Sequence, residues 1–402
     1  MARLGDVCES FNGLWKGTKQ PLKTVGVIRS TNFTKQCEFD HSKIIFIEVE
    51  EKKFLKRKLQ CGDIVVERSG GGPNQPVGRV LLFDIEEGDY TISNFTSALR
   101  IKDKCALDSS YLHRVLVAQY FSGVTAKMQS NATNIINLHY DEFLNIEFPL
   151  PPLTVQREIV ARLEKELGEA DKLAAKFKRV AELADDAFKA ELDETFKALE
   201  DNSRRDAETR RVRLGDVFDF IDYRGKTPLK TESGVPLITA KNIRQGYLDY
   251  HESFYISKKE YATRQTRGIA HKGDILFTTE APLGFVALAD KEEFSTGQRV
   301  ITFQWKVKGE KACNKYYLYC LLSDWFQGTL RRQATGATAK GIKASRLIDL
   351  HVLRVPFSVQ EEIVAKLDAA KERCEKLKAA AMRGLAAAEN LRKAILAEAF
   401  EQ

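Results

Sequence analysis

The side chains best suited to chemistry in this chain sit on loops, and their types suit reading nucleic-acid edges more than breaking bonds. Residues 67–76 hold three glycines and two prolines between two strand-like runs, which makes them a loop. This loop carries Arg68, Ser69, Asn74 and Gln75, with Arg79 just beyond. Arg pairs bidentately with guanine and Asn or Gln with adenine, each good pair being worth about 1–3 kcal/mol of discrimination. A corresponding stretch in the second half carries Thr278, Thr279 and Glu280, and Glu can accept from cytosine. Lys241, Asn242 and Arg244 follow the strand-like residues 235–239. Arg331, Arg332, Lys340, Lys343 and Arg346 suit phosphates, which position a protein on DNA without specifying sequence. Any one of these residues can equally be ordinary surface or turn chemistry, so the DNA-binding reading rests on the loop positions as a group.

Patterns for catalysis are missing from the sequence. Gly225-Lys226-Thr227 resembles the end of a phosphate-binding loop, but that loop needs a glycine at position 220, which is Phe. The six histidines show no metal spacing, and neither His-Glu-x-x-His nor Gly-x-Ser-x-Gly occurs. The Asn/Asp-Pro-Pro-Tyr motif with which amino-methyltransferases hold a target base is absent, and Leu150-Pro151-Pro152-Leu153 lacks the side chain that would replace it. Gly70-Gly71-Gly72 lacks the strand–turn–helix setting of a dinucleotide site. The expectation is a non-enzymatic chain with no catalytic, metal-binding or cofactor-binding residues of its own.

Two long helices must position these loops. Residues 154–199 place apolar side chains at steps of three or four, from Val155 through Leu163, Leu173 and Leu192 to Leu199, with no proline and only Gly168 as a glycine. At 1.5 Å per residue this is a rod of roughly 70 Å, which must bury its stripe against a partner. Residues 358–400 repeat the pattern. Pro152-Leu153-Thr154-Val155-Gln156-Arg157-Glu158-Ile159-Val160 answers Pro356-Phe357-Ser358-Val359-Gln360-Glu361-Glu362-Ile363-Val364. The same register still maps Leu192 and Phe196 onto Leu396 and Phe400, which marks an internal repeat. Thr154 is the expected N-cap of the first helix.

The regions before each helix repeat as well. Arg3-Leu4-Gly5-Asp6-Val7 returns as Arg213-Leu214-Gly215-Asp216-Val217, and Gly62-Asp63-Ile64 as Gly273-Asp274-Ile275. Tyr111-Leu112 matches Tyr317-Leu318, Ala132-Thr133 matches Ala337-Thr338, and residues 77–80 loosely match residues 282–285. Strands are expected over residues 43–49, 62–66 and 78–84, a helix over 111–121, an extended run over 145–152 and a charged linker over 200–212. The predicted organisation is a domain at 1–152, a spacer helix at 153–200, a second domain at 201–355 and a second spacer helix at 356–402. The fold class is α+β: two mixed, strand-rich domains at opposite ends of an antiparallel helix pair, with a pseudo-two-fold repeat. Antiparallel pairing follows because parallel pairing would force residues 201–357 to span the whole rod.

Composition sets the remaining bounds. Residues 201–355 hold 27 basic against 18 acidic side chains while residues 1–150 hold 19 against 18, so the net charge of +7 sits mainly in the second domain. Such an excess suits a polyanion. The chain has no apolar run of membrane-spanning length and no apolar segment of the signal-peptide kind near Met1. Seven unpatterned cysteines read as reduced thiols, so a cytoplasmic location is expected.

With these features in place, the whole chain resembles the specificity subunit of type I restriction-modification systems. The resemblance rests on the internal repeat, on residues 149–160 and 356–364, and on Tyr223-Arg224-Gly225-Lys226-Thr227-Pro228. It also rests on residues 234–243 and on Leu391-Arg392-Lys393-Ala394-Ile395-Leu396-Ala397-Glu398-Ala399-Phe400. It implies that each inter-helix region is a target-recognition domain reading half of a split double-stranded DNA site. The helices would set the gap and dock two modification subunits, which carry S-adenosylmethionine and methylate adenine. Restriction and translocase subunits could join further. The other readings are a coiled-coil adaptor joining two proteins without DNA specificity, and a stand-alone methyltransferase, against which the missing motifs argue.

Overall fold

The computed structural model describes residues 1–72, 75–131, 135–204, 208–223, 227–336 and 340–400. It divides into two compact units, Met1–Lys178 with Met382–Gln402, and Arg179–Ala381. The long helices are α1 (Leu153–Asn202) and α2 (Phe357–Glu398), and each contributes to both units. Helix α1 begins at Leu153, so Thr154 lies in its first turn and does not cap it.

The first unit is built on strands β1 (Cys8–Asn12), β2 (Ile64–Glu67), β3 (Val80–Leu82) and β4 (Thr96–Ile101), antiparallel in the order β1-β4-β2-β3. The second unit repeats this with β5 (Phe218–Asp222), β6 (Ile275–Thr279), β7 (Leu283–Leu288) and β8 (Val300–Trp305) in the order β5-β8-β6-β7. A smaller sheet accompanies each. Leu22–Ile28 pairs antiparallel with Ile45–Glu50 and parallel with Tyr90–Ile92; Val235–Ile238 pairs antiparallel with Tyr255–Ile256 and parallel with Ser295–Thr296. The fold is thus α+β, with the same order of the four main strands in both units and a pair of long helices.

Details of the repeat are also conserved in geometry. The turns opening β2 and β6 both have the aspartate accept from a backbone amide, Gln60 N to Asp63 at 2.8 Å and His271 N to Asp274 at 2.7 Å. Gln156 and Gln360 are buried at the starts of α1 and α2. Each amide ties the segment just before its own helix to the cap of a domain helix: Gln156 donates to Pro151 O at 2.7 Å and accepts from Asp108 N, and Gln360 donates to Val355 O and accepts from Cys313 N, the last three at 2.9 Å. These caps equate the helix Ser109–Phe121 with Asn314–Leu322 one residue away from the sequence match. Tyr111, whose hydroxyl donates to Pro149 O at 2.9 Å, corresponds to Tyr316, which donates to Leu353 O at 3.0 Å. The apparent partner Tyr317 falls in the place of Leu112, because an aromatic pair at 316 and 317 disguises the register.

The helix pair is antiparallel within each unit. In the first, Asp171 meets Arg392 at 2.6 Å, and a Cβ on Gly384 would stand 2.4 Å from the Phe177 ring, so glycine permits the close approach. In the second, Asp185 meets Lys378 at 2.5 Å and Glu191 meets Arg373 at 3.5 Å. Leu163, Leu167 and Leu396 join the core of the first unit; Leu192, Phe196 and Leu367 join that of the second. The expected linker over 200–212 is shorter than its composition suggests. Helix α1 runs through Asn202, and Arg210–Arg213 pairs with His351–Arg354. All seven cysteines are free thiols.

Candidate nucleic-acid interface

In the first unit the loop after β2 is braced from below by a buried ion pair. Arg79 donates to Glu67 at 2.8 and 2.6 Å, to Phe33 O at 3.0 Å and to Ser30 O at 3.3 Å. Only 6% of Arg79 and 1% of Glu67 is exposed. Burial by itself would lower the Arg79 pKa, but the Glu67 carboxylate outweighs it and the net shift is upward. The Gln75 amide oxygen faces the same guanidinium, and its backbone closes on Gly72. Ser30, Thr31, Glu67, Gly71, Gly72 and Gln75 line a groove of about 470 Å³ over Arg79.

Beside this groove, Ser69–Gly70 pairs with Ile136–Leu138, which pairs with Gln129–Asn131. The Ser69 hydroxyl donates to Asn137 Oδ1 at 2.6 Å. Arg68 lies 4.4 Å over the Tyr140 ring and donates to Asn12 at 2.8 Å, which fixes the direction of its guanidinium. The structure therefore brings Arg68, Ser69 and Gln75 to one surface and sets Arg79 beneath them. Asn74, Pro73 and the repeated Ala132-Thr133 lie outside the described residues.

In the second unit, the strand-end threonines are interior. Thr278 is fully buried and its hydroxyl accepts from Phe285 N at 2.8 Å; Thr279 is 3% exposed and donates to Arg299 O at 3.3 Å. Glu280 is half exposed and paired with Arg299 at 2.8 Å. An isolated bridge joins Glu280 to Gly341, and Thr335 also pairs with Gly341. This brings Glu280 next to the arm carrying Lys340 and Lys343, both exposed, and follows the helix Asp324–Gln333 that carries Arg331 and Arg332. Arg331 meets Asp324 at 3.4 Å, and Arg332 donates to Thr329 at 2.9 Å. The repeated Ala337-Thr338 lies outside the described residues, as do Arg224, Gly225 and Lys226 of the resemblance motif.

In the turn at 239–244, Asn242 differs from its sequence reading. Asn242 is 1% exposed, accepts from Thr239 N at 2.9 Å and donates to Asp249 O and Glu252 O. Asn32 does the same in the first unit, accepting from Arg29 N at 2.9 Å and donating to Asp40 O at 2.9 Å. The asparagine is a turn staple in both. Lys241 meets Glu252 at 2.8 Å and Arg244 meets Asp249 at 2.9 Å. Lys230, which the sequence reading passed over, sits 3.6 Å from the Phe254 ring centroid on a groove of about 250 Å³ that Lys241, Gln298 and Arg299 also line. No pattern in the sequence ties Lys230, Lys241 and Arg299 together, since 69 positions of chain separate the first from the last.

Two copies of one scaffold, each presenting a different polar loop cluster, define a paired recognition protein. The chain matches the family model for the type I restriction modification DNA specificity domain over residues 1–175 and again over 207–381, and it belongs to that family. It is 23% identical over 396 residues to the EcoKI specificity subunit of Escherichia coli K12, covering 93% of this chain and 81% of that one. It is 22% identical over 383 residues to the putative MjaX specificity subunit of Methanocaldococcus jannaschii, covering 91% and 85%. In fold it is similar to a chain from work on complex assembly and conformational transition of the type I R-M system, with a TM-score of 0.75, 19% identity and coverage of 99% and 96%. It is also similar to the HsdS subunit from Thermoanaerobacter tengcongensis, with a TM-score of 0.57, 19% identity and coverage of 99% and 95%.

Family membership makes this chain a sequence-specific DNA-recognition subunit with two target-recognition domains and a helical spacer that docks a methyltransferase. It is the non-catalytic member of its system. Among the described residues, no helix is long and apolar enough to cross a membrane.

Proposed function

We propose that each unit reads one half of an asymmetric, bipartite site, and that α1 and α2 hold the two readings at a fixed spacing. The observation that carries this is the same four-strand order and helix cap in both units beneath unlike loops: Arg68, Ser69, Gln75 and Asn137 in one, Glu280, Lys340 and Lys343 in the other. A common frame with different edges reads two different sequences. Arg68, Ser69, Asn74, Gln75, Lys241, Arg244, Glu280, Arg331, Arg332, Lys340 and Lys343 are the DNA-facing set. Arg79, Asn242, Thr278 and Thr279 act from beneath, holding the loops in place, because their polar atoms are already bonded inside the protein. Two modification subunits carrying S-adenosylmethionine dock on the helices, and translocating and cleaving subunits join that core in the cytoplasm.

The test is DNA binding by this chain assembled with its cognate modification subunit. Affinity for the cognate duplex should fall steeply with salt, by a log–log slope near −0.9 for each phosphate neutralised. Removing one heptad from each helix shortens the rod by about 10 Å, or roughly three base-pair steps, and should shift the preferred gap or abolish binding. An unchanged gap would rule out the spacer role. Binding without any sequence preference would return the chain to the adaptor reading.

A further inference from the structure

Each unit also presents a two-residue turn that neither composition nor periodicity singles out. In the first unit it spans residues 93–96, closed by Thr96 N donating to Ser93 O at 3.0 Å. In the second it spans residues 297–300, closed by Val300 N donating to Gly297 O at 3.1 Å. Equivalent bonds hold both. Ser93 N donates to Ile28 O at 2.9 Å and Gly297 N to Ile238 O at 2.8 Å; Arg68 N donates to Phe95 O at 2.9 Å and Thr279 N to Arg299 O at 3.0 Å. The last pair attaches each turn to the strand end that leads into the recognition loop of its unit.

The flanks of each turn are buried and the two tip residues are exposed, Asn94 and Phe95 in one unit, Gln298 and Arg299 in the other. Each tip therefore offers an amide followed by a large side chain. Phe95 is 53% exposed and, among the described residues, packs into no apolar cluster, although its neighbours Ser93 and Thr96 are each 1% exposed. A lone exposed apolar side chain is unremarkable by itself. Here it occupies the fold position of Arg299, which pairs with Glu280 and lines the groove with Lys230 and Lys241.

Resting on the reading of the two units as recognition domains, we propose that these turns are a second base-reading element in both. Asn94 and Gln298 take the adenine-type edge that an amide matches, Phe95 takes a thymine methyl or an opened base step, and Arg299 takes guanine or the adjoining phosphate. The Thr227 hydroxyl, 3.2 Å from Gln298 Oε1, and the Glu280 carboxylate hold the second tip in place until DNA replaces them. Sequence differences between the tips would then contribute to the asymmetry of the site.

The experiment measures binding of the assembled chain and modification subunit to a set of duplexes carrying every single-base change of the cognate site. Wild type is compared with the double variants Asn94→Ala/Phe95→Ala and Gln298→Ala/Arg299→Ala, each checked for an unchanged melting profile. The expected result is loss of roughly 5- to 150-fold discrimination at one or two base positions, in one half-site for the first variant and in the other for the second. Base preferences unchanged at every position, or an even loss of affinity across all duplexes, would overturn the proposal. Wild type without sequence preference would instead overturn the reading on which it rests. The conservative variant Gln298→Asn, which shortens the amide without removing it, should shift the preferred base less than Gln298→Ala does.

Discussion

At the same point of the same sheet, the two units solve one problem by different means. In the first, Glu67 on β2 holds Arg79 through a buried ion pair; in the second, the corresponding Thr278 hydroxyl accepts from Phe285 N at 2.8 Å and donates to Phe285 O at 3.4 Å. The contrast continues at the helices. Arg392 binds Asp171 and Glu38 in the first unit, while Phe188 meets Tyr319 edge-on and Asp368 takes Lys315 and the Tyr319 hydroxyl in the second. Within the domain helices, buried His113 corresponds to buried Leu318. The backbone frame tolerates either chemistry because burial demands only that polar groups be satisfied. At these positions the first unit pairs charges where the second uses a hydroxyl and ring contacts, while both units keep a large apolar core.

The largest test of that contrast is Glu67→Ala, which leaves Arg79 buried without its carboxylate and should destabilise the first unit by about 3–5 kcal/mol. Thr278→Val in the second unit should cost about 1–3 kcal/mol, the loss of one partner for a buried amide. Hydrogen exchange resolved by unit checks both, and equal costs would erase the distinction.

Acid should separate the units next. Burial, with Arg114 nearby, depresses the His113 pKa from 6.5 to about 4. Because the folded value lies below the unfolded one, the unfolded chain binds the extra proton between these limits. The stability present above pH 6.5 is therefore lost as pH falls toward 4, by about 3 kcal/mol at most. The first unit should lose exchange protection across that window, and His113→Leu should flatten the loss. An unaltered pH response in that variant would contradict the assignment.

Smaller effects follow at the surface. Asp171→Asn should weaken the seating of the helix pair in the first unit by about 1–2 kcal/mol, moderated because Asp171 is half exposed, and added salt should mimic it in part. Phe188→Leu should show no such salt response. Lys343→Ala should leave stability within about 0.5 kcal/mol, weaken DNA binding evenly across sequences and reduce the salt slope by about 0.9. Retention of the full slope would remove Lys343 from the phosphate contacts.

The long helices and the repeat were legible because a stripe of apolar residues over forty positions leaves little choice of structure, and Gln156 and Gln360 mark the same joint twice. Strand positions were legible to within about two residues, since branched apolar runs at 43–49, 62–66 and 78–84 lie on or beside Ile45–Glu50, Ile64–Glu67 and Val80–Leu82. The recognition surface was legible only in part. Arg79, Asn242, Thr278 and Thr279 have the right chemistry for DNA, but a polar side chain near a loop can as easily be the loop's internal brace, and only burial distinguishes the two roles. Residues 210–212 read as linker because their partner strand is more than 130 residues distant. Lys230 and the two turns escaped notice because what unites them is long-range pairing.

The central claim is that one frame carries two independent readings, and methylome sequencing of a host expressing this chain with its cognate modification subunit tests it most directly. The account predicts a new bipartite adenine-methylated motif with a fixed gap, of which only one half changes when residues 1–150 are exchanged for another first domain. A soluble, associated complex that yields no motif, or an exchange that alters both halves, would contradict it.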